Sequence, residues 1–484
     1  MACNLTISDA RAAFFLVTEL ENPSMYDRPT LVLLHALGGS ARAWNGVRAA
    51  LSSDFETLAL DLPGFGDAPV AADLSVAGLV NQIIETVRTK GLTRWLLVGH
   101  SMGGKLATIV ASRALAGEPG LFGLAGVVLL AGSPPSPEPM DEKRRAEMID
   151  WAAQGALDDS AARAFIDGNV GQALTAADDR LAIDDLKRTS QEAWLAWLER
   201  GSREDWSGEV GKLDLPALIL VGSEDSDLGE GGQRATNIMV YRRARIHVEA
   251  GAGHLLPLER ADSVARFIAQ FWHQIAGIAP IVPKAFGQMI ASARVNRRMR
   301  ATLAVRALAD DPDYQPHVLS AMQLKTLRAV ASRVVPQTSP IIDLAARLDA
   351  QLAAGKDDGW RFANMPPDRE ACRQAMDALV QFDALGETEQ DAQLSLMAKG
   401  EFMLTDHLDG DYSRGQILSS EQMKCWFEDL RADLVRIWLA HPATMARIGF
   451  NGFANGGDGV RKEGFERLAA TERESWEPAT GASQ

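Results

Sequence analysis

Cysteine is scarce in this 484-residue chain: Cys3, Cys372 and Cys425 stand far apart and are odd in number. That usage excludes a disulfide framework and fits a reducing compartment. There is no HExxH, no paired CxxC, no CxxCH and no acidic calcium loop, so no metal site and no covalent haem are expected. His273, His317, His407 and His441 show no ligand spacing. No window nears the roughly 18 uninterrupted apolar residues of a membrane span. The longest apolar candidate, Leu121 to Ala131, reads as a buried strand that runs into a proline-rich loop. Met1 to Asp9 lacks a basic n-region, a twin arginine and an apolar core, so no targeting signal is expected and the expected location is cytoplasmic. Positive charge is in deficit, with 49 Lys and Arg against 64 Asp and Glu and a net charge of −15. Such a surface argues against nucleic acid and anionic membranes as partners. No GxGxxG follows a strand pattern. Gly449 to Gly459 is glycine-rich but follows a helix pattern, so dinucleotide or flavin binding by this chain is not expected, and no cofactor is assigned.

The length predicts two domains, and a hydrophobic content of 46% suffices for two cores. The most informative motif is Gly99-His100-Ser101-Met102-Gly103, which follows the apolar run Trp95-Leu96-Leu97-Val98 and precedes a helical pattern from Gly104 to Ala111. Strand, sharp turn and helix are the setting of a nucleophile elbow, where the turn lifts a serine hydroxyl clear of the sheet. Upstream, the strand pattern Pro29 to Leu34 ends in His35-Ala36-Leu37-Gly38-Gly39-Ser40. Downstream, Leu215 to Val221 runs into Gly222-Ser223-Glu224-Asp225, and Gly251-Ala252-Gly253-His254 follows before a helix near Pro257. The order is serine, acid, histidine.

With these motifs, and with Asp61-Leu62-Pro63-Gly64-Phe65-Gly66 between them, residues 10 to 276 resemble the α/β-hydrolase superfamily. The resemblance implies a mostly parallel sheet with a helical cap, no cofactor, and serine hydrolase chemistry on an ester or lactone. A serine hydroxyl needs a base as it attacks, and His254 is the candidate, since histidine alone titrates near neutral pH without perturbation. The resemblance places the acid at Asp225, with Asp227 as the alternative. By the same resemblance the oxyanion donors are the N–H groups of Leu37 and Met102. The chain departs from the family's His-Gly pair at His35-Ala36, so the oxyanion loop is expected to differ slightly. His35 is expected to anchor that loop, His100 to shape the pocket, and His247 to be structural. Dehalogenase and epoxide hydrolase chemistry would place an aspartate where Ser101 stands.

Within this part, Ser133 to Pro139 breaks regular structure, and Glu142 to Trp206 has helical spacing, which predicts a cap over residues 134–206. Trp151, Trp194, Trp197 and Trp206 are expected to hold the cap on its base rather than line a pocket. Arg42 and Lys105 read as solvated helix residues.

Beyond Gly277 to Pro283, rich in proline and small apolar residues, no strand pattern remains. Residues 277–315 read as a linker with a leading helix, and 316–484 as a predominantly α-helical C-terminal domain. Leu319 to Pro336, then His441-Pro442, Ile448-Gly449-Phe450, Gly456-Gly457 and Glu474 to Pro478, resemble gluconate 2-dehydrogenase subunit 3 over residues 316–478. Asp406 to Leu418, rich in Gly, Asp and Ser, is an ambiguous stretch within it. The family's small subunit carries no flavin, and the resemblance implies docking to a flavoprotein dehydrogenase of the glucose–methanol–choline type. The plainer alternative is a helical domain that stabilises or dimerises the hydrolase. Three functions stay open: a serine esterase or lactonase fused to a docking module, an accessory subunit with the hydrolase fold secondary, and a cofactor-free perhydrolase or acyltransferase.

Overall fold

The computed structural model describes residues 28–356, 361–403, 418–450, 452–453, 457–458 and 472. Cys3 and the N-terminal segment, His407 and most of Asp406–Leu418, Gly456 and Glu474–Pro478 lie outside the described residues.

The strands are β1 (Thr30–Leu34), β2 (Glu56–Leu60), β3 (Trp95–His100), β4 (Leu124–Leu130), β5 (Leu213–Gly222) and β6 (Tyr241–Glu249). They form one sheet in the order β2-β1-β3-β4-β5-β6, and every neighbouring pair is parallel. A parallel sheet is covered on both faces, which is why its strands read as unbroken apolar runs. All of β3 is buried.

The longer helices are α1 (Asn45–Leu51), α2 (Val76–Lys90), α3 (Met102–Leu115), α4 (Glu142–Trp151), α5 (Asp159–Asp167), α6 (Ala176–Arg188) and α7 (Ala261–Phe271). The period-2 alternation of the strands divides their side chains between two cores. Val32, Leu97 and Leu129 pack with Ile83 of α2 and Leu106 of α3. Leu33, Val98 and Leu130 pack with Val47 of α1 and Ile268 of α7. Helices α4 to α6, inserted between β4 and β5, start at Asp141, Asp158 and Thr175, whose side chains accept backbone N–H groups of the first turn.

The C-terminal part adds α8 (Lys284–Ala291), α9 (Arg297–Arg306), α10 (Ala321–Val334), α11 (Leu344–Ala354), α12 (Asp368–Ala378), α13 (Glu387–Lys399) and α14 (Ser420–Leu439). Helices α8 and α9 pack on the sheet-bearing body, where Ile290 and Leu303 share a small core with Phe122. Arg300, buried on α9, donates Nε to the Gly117 carbonyl at 2.7 Å, and Arg297 donates to Ala116 at 3.0 Å. They satisfy carbonyls at the end of α3, where the helix dipole also favours cations. Helices α10 to α14 enclose a separate core from Leu319 to Ile437. No described helix is long and apolar enough to cross a membrane.

Candidate active site

In a sheet of this order ligands gather at the carboxyl ends of the strands where the winding reverses. Here that point lies between β1 and β3, paired with Leu34 beside Gly99. The loop carrying Leu37 leaves β1 there, and Ser101 leaves β3. Ser101 has φ 50° and ψ −118°, a backbone state that non-glycine residues hold only when their surroundings enforce it. The enforcement is visible: Ser101 N–H donates to Leu130 O at 2.9 Å, and Ser101 O accepts from Ser133 N–H at 2.9 Å. A Cβ at Gly99 would lie 2.3 Å from Gly103 O, and one at Gly103 would lie 2.6 Å from Leu34 O, so only glycine fits on either side of the turn. Met102 opens α3, where the first N–H groups have no intrahelical acceptor.

Asp225 follows β5 and His254 follows β6. Their side chains meet at 2.7 Å, Nδ1 to Oδ2, and both are largely buried. The other Asp225 oxygen accepts Leu228 N–H at 3.1 Å. Burial pushes the Asp225 carboxyl up, but the facing His254 and these hydrogen bonds outweigh it and leave the group below the usual carboxylate range. Burial likewise opposes the imidazolium of His254, yet Asp225 outweighs it and raises the imidazole above its ordinary value. Among the described residues Asp227 accepts only the Ser226 hydroxyl, at 3.4 Å. The histidine loop is docked to the cap: His254 N–H donates to Asn169 O at 2.8 Å. Glu259 accepts both Gly253 N–H at 3.0 Å and Gly171 N–H at 2.8 Å. Among the described residues no hydrogen bond joins Ser101 Oγ to His254, and catalytic contacts often close only on substrate binding.

The two neighbouring histidines are neutral scaffolding. His35 Nε2 accepts Leu62 N–H at 3.0 Å, so Nδ1 carries the proton and donates to Ala36 O at 2.7 Å. His100 Nε2 donates to His254 O at 2.8 Å, and its pKa is lowered to about 3 by burial, then by His254. Between the Leu37 loop and the cap lies a cavity of about 30 Å³, lined by Leu37, His100, Phe165, Leu186 and Leu258 with Asp185 as a carboxylate in the wall.

The Alpha/beta hydrolase family model matches residues 31–267. The 2-succinyl-6-hydroxy-2,4-cyclohexadiene-1-carboxylate synthase of Enterobacter sp. (strain 638) is 31% identical over 252 residues, covering 50% of this chain and 91% of the relative. The chain belongs to the α/β hydrolase family. The synthase of the same name from Serratia proteamaculans (strain 568) is 28% identical over 230 residues, covering 43% of this chain and 82% of the relative. The enol-lactonase structure from Burkholderia xenovorans LB400 is 21% identical, covering 52% of this chain and 94% of that one, with a TM-score of 0.45.

As an α/β hydrolase the chain departs from its sequence reading at two cations. Lys105 is not solvated: it is fully buried, and its ammonium donates to Gly201 O, Ser202 O and Glu204 O at 3.1, 3.3 and 2.9 Å. Arg42 is not free either. It donates to Asp185 Oδ1 at 3.0 Å and pairs with Asp184, tying α6 to the loop after β1. Both long side chains leave their own helix surface for acceptors that a helical pattern does not reveal. Ala36 does not need the glycine of the family pair, because the positive φ of this loop, 73°, falls on Gly38. Trp194 is fully buried with Nε1 on Met148 O at 2.8 Å. Trp197 is buried too, and Trp206 bonds Glu204 at 2.9 Å, so these cap tryptophans are packing residues. His247 stacks on Phe267 with ring centroids 3.9 Å apart. His441 caps the short helix Pro442–Arg447 by accepting Ala443 N–H at 3.1 Å. Sequence reasoning missed Glu138, Asn169, Asp185 and Glu259. Each lies on the cap or its stem, or in the helix after His254, and each acts on a residue distant in the chain.

Proposed function

We propose that this α/β hydrolase is a serine hydrolase of a small carboxylic ester or lactone, with Ser101 as nucleophile, His254 as general base and Asp225 as its orienting acid. The observation that carries the reading is the 2.7 Å His254–Asp225 bond beside a serine held at positive φ. His254 Nε2 takes the hydroxyl proton as Ser101 Oγ bonds to the acyl carbon. The N–H groups of Leu37 and Met102 receive the developing oxyanion. The carbon–oxygen bond to the leaving group then breaks, and the imidazolium returns its proton to that oxygen. Water, deprotonated by the same imidazole, releases the acid. Asp225 keeps the proton of neutral His254 on Nδ1, which leaves Nε2 free to accept. The test is intact mass after a fluorophosphonate probe: one adduct on wild type that vanishes in Ser101→Ala supports the reading, and no adduct on wild type overturns it.

The 31% identity to a synthase favours a second reading, in which the same triad acts on a substrate of that relative's kind. An assay for formation of 2-succinyl-6-hydroxy-2,4-cyclohexadiene-1-carboxylate separates the two. Perhydrolase or acyltransferase chemistry is the same acyl-enzyme resolved by peroxide or an alcohol, and product analysis with those acceptors tests it.

For the C-terminal helices we propose, on the Leu319–Pro336 and His441–Gly457 motifs, docking to a flavoprotein dehydrogenase in the cytoplasm. A lactone released by that enzyme would be the hydrolase's substrate. Tagged full-length protein from its native host that brings down no flavoprotein ends this proposal.

A further inference from the structure

Two residues at positive φ are joined at the candidate site. Ser101 is one; the other is Ala131, just after β4, with φ 42°. An alanine holds such a φ only where its surroundings enforce it. Ala131 N–H donates to Leu220 O at 2.8 Å, and two residues on Ser133 N–H donates to Ser101 O at 2.9 Å. Gly132, between them, lies against α3: a Cβ at Gly104 would stand 2.5 Å from Gly132 Cα. The place of Gly132 therefore helps to fix the turn that carries Ser101.

Two buried amides converge on Gly132. Gln233 and Asn237 lie on the short helices Glu230–Ala235 and Asn237–Val240, and both are fully buried. Gln233 Nε2 donates to Gly132 O at 2.9 Å and to Leu228 O at 3.1 Å. Asn237 Nδ2 donates to Gly132 O at 2.8 Å and to Gln233 Oε1 at 2.7 Å. Each amide nitrogen carries two hydrogens, so all four are in use, and the backbone carbonyls they meet dictate which way each amide faces. Leu228 is itself the residue whose N–H donates to Asp225 Oδ1 at 3.1 Å. One side chain thus bridges the loop that holds the acid and the strand end that holds the nucleophile. Among the described residues Asn237 Oδ1 has no partner. A buried acceptor left open is costly, so this pair is a poor filling for a core and a good clamp on two carbonyls.

We propose that Gln233, oriented by Asn237, is a positioning residue of the candidate active site. It locks the Asp225 loop to the elbow, so that the acid, and with it His254, keeps its place relative to Ser101. The consequence for turnover rests on the hydrolase reading above; the consequence for His254 rests only on its bond to Asp225.

The test compares wild type with Gln233→Met, which keeps the length of the side chain and removes its donors. The His254 ring is titrated by NMR, assigned against His254→Gln, beside 4-nitrophenyl acetate hydrolysis by the same samples. The charges acting on His254 are those of Asp225, Glu138 and Arg144, beside the neutral His100 ring 5.3 Å away, and the substitution alters none of them. A moved titration therefore reports changed geometry at the Asp225–His254 bond. The His254 pKa is expected to fall by about half a unit or more, and kcat by roughly 10-fold with KM little changed. Gln390, a buried amide of the C-terminal helices that donates to Phe382 O at 2.9 Å, is the control: Gln390→Met is expected to lower stability and move neither readout. An unmoved His254 titration in folded Gln233→Met overturns the proposal, whatever happens to kcat. So does a moved titration in an active enzyme whose kcat stays put, or an equal shift in Gln390→Met. Should Gln233→Met fail to fold, Asn237→Ala removes a donor to Gly132 and the bond that orients Gln233 while leaving room for water. It carries the same downward expectation, and no shift there overturns the proposal equally. A shift in the variant when wild type cleaves no ester leaves the assignment of Gln233 standing and counts against the hydrolase reading.

Discussion

The sheet-bearing body and the C-terminal helices are built on different terms. The body breaks local rules around the candidate site: a serine at φ 50°, glycines that no other residue can replace, and Lys105 and Glu138 in the interior. The C-terminal helices mostly keep to them, although Gln381 between α12 and α13 also stands at φ 67°. Helices α10 and α14 open on full capping boxes, Ser320 with Gln323 and Ser419 with Gln422. Their most buried carboxylate, Asp349, accepts Tyr314 Oη, His317 N, Val318 N and Leu319 N at 2.7, 2.7, 3.1 and 2.8 Å. That carboxylate serves the fold, closing the chain onto α11. Strain and buried charge in the body gather around the candidate site, and they persist only where the surrounding structure supports them.

The sharpest way to break this contrast is Ser101→Ala. It is expected to remove ester turnover by about 10⁴-fold or more, measured as kcat/KM, while the thermal unfolding midpoint changes little because the substitution deletes a single oxygen. Next, Asp225→Asn is expected to cost roughly 10³–10⁴-fold and Asp227→Asn less than about 3-fold. The pH profile sharpens this pair. Because Asp225 raises the His254 pKa, the acid limb of wild-type kcat/KM should lie above the ordinary imidazole value, and Asp225→Asn should move it down. If Asp227→Asn shows the larger effects, the acid assignment is wrong.

In the C-terminal helices the expected effects are on stability alone. Asp349→Ala strands three backbone N–H groups and a phenol, and should destabilise those helices by about 2–4 kcal/mol with kcat/KM unchanged. The Asp349 carboxyl is held low: burial pushes it up, but its four donors outweigh that. A depressed carboxylate contributes stability above its unfolded pKa and loses it as pH falls through the folded value. Wild type should therefore lose this contribution below about pH 4, and the variant should show less acid sensitivity there, by denaturation at stepped pH. Smallest of all, Ser320→Ala should cost about 1 kcal/mol by removing one side of a capping box.

Much of the body was legible because its signals are short. The elbow needs glycine on both sides of Ser101 within five residues, and its flanking strand must be apolar to lie inside a parallel sheet. His35, tied to Ala36 next to it, could also be read as a loop anchor. Arg42 and Lys105 were misread for the opposite reason. A cation on a helix looks solvated until the acceptors are placed, and Asp185 and the carbonyls of 201–204 lie about 100 residues away or more. Glu138 sits in a proline-rich stretch without periodicity, so nothing local distinguishes it from a surface glutamate.

The amino-acid sequence by itself determined most of the strands, though not β2, together with the glycine-flanked turn at Ser101 and the helical character of the C-terminal part. These follow from hydrophobic period, glycine sterics and capping, which act over a few residues. Only the tertiary structure decided that His254 meets Asp225 rather than Asp227 and that the cap holds the histidine loop through Asn169 and Glu259. It also decided that Lys105 and Glu138 lie buried close to the turn that carries Ser101. Those outcomes depend on hydrogen bonds between distant segments and on the loss of water around them, and no local pattern encodes either.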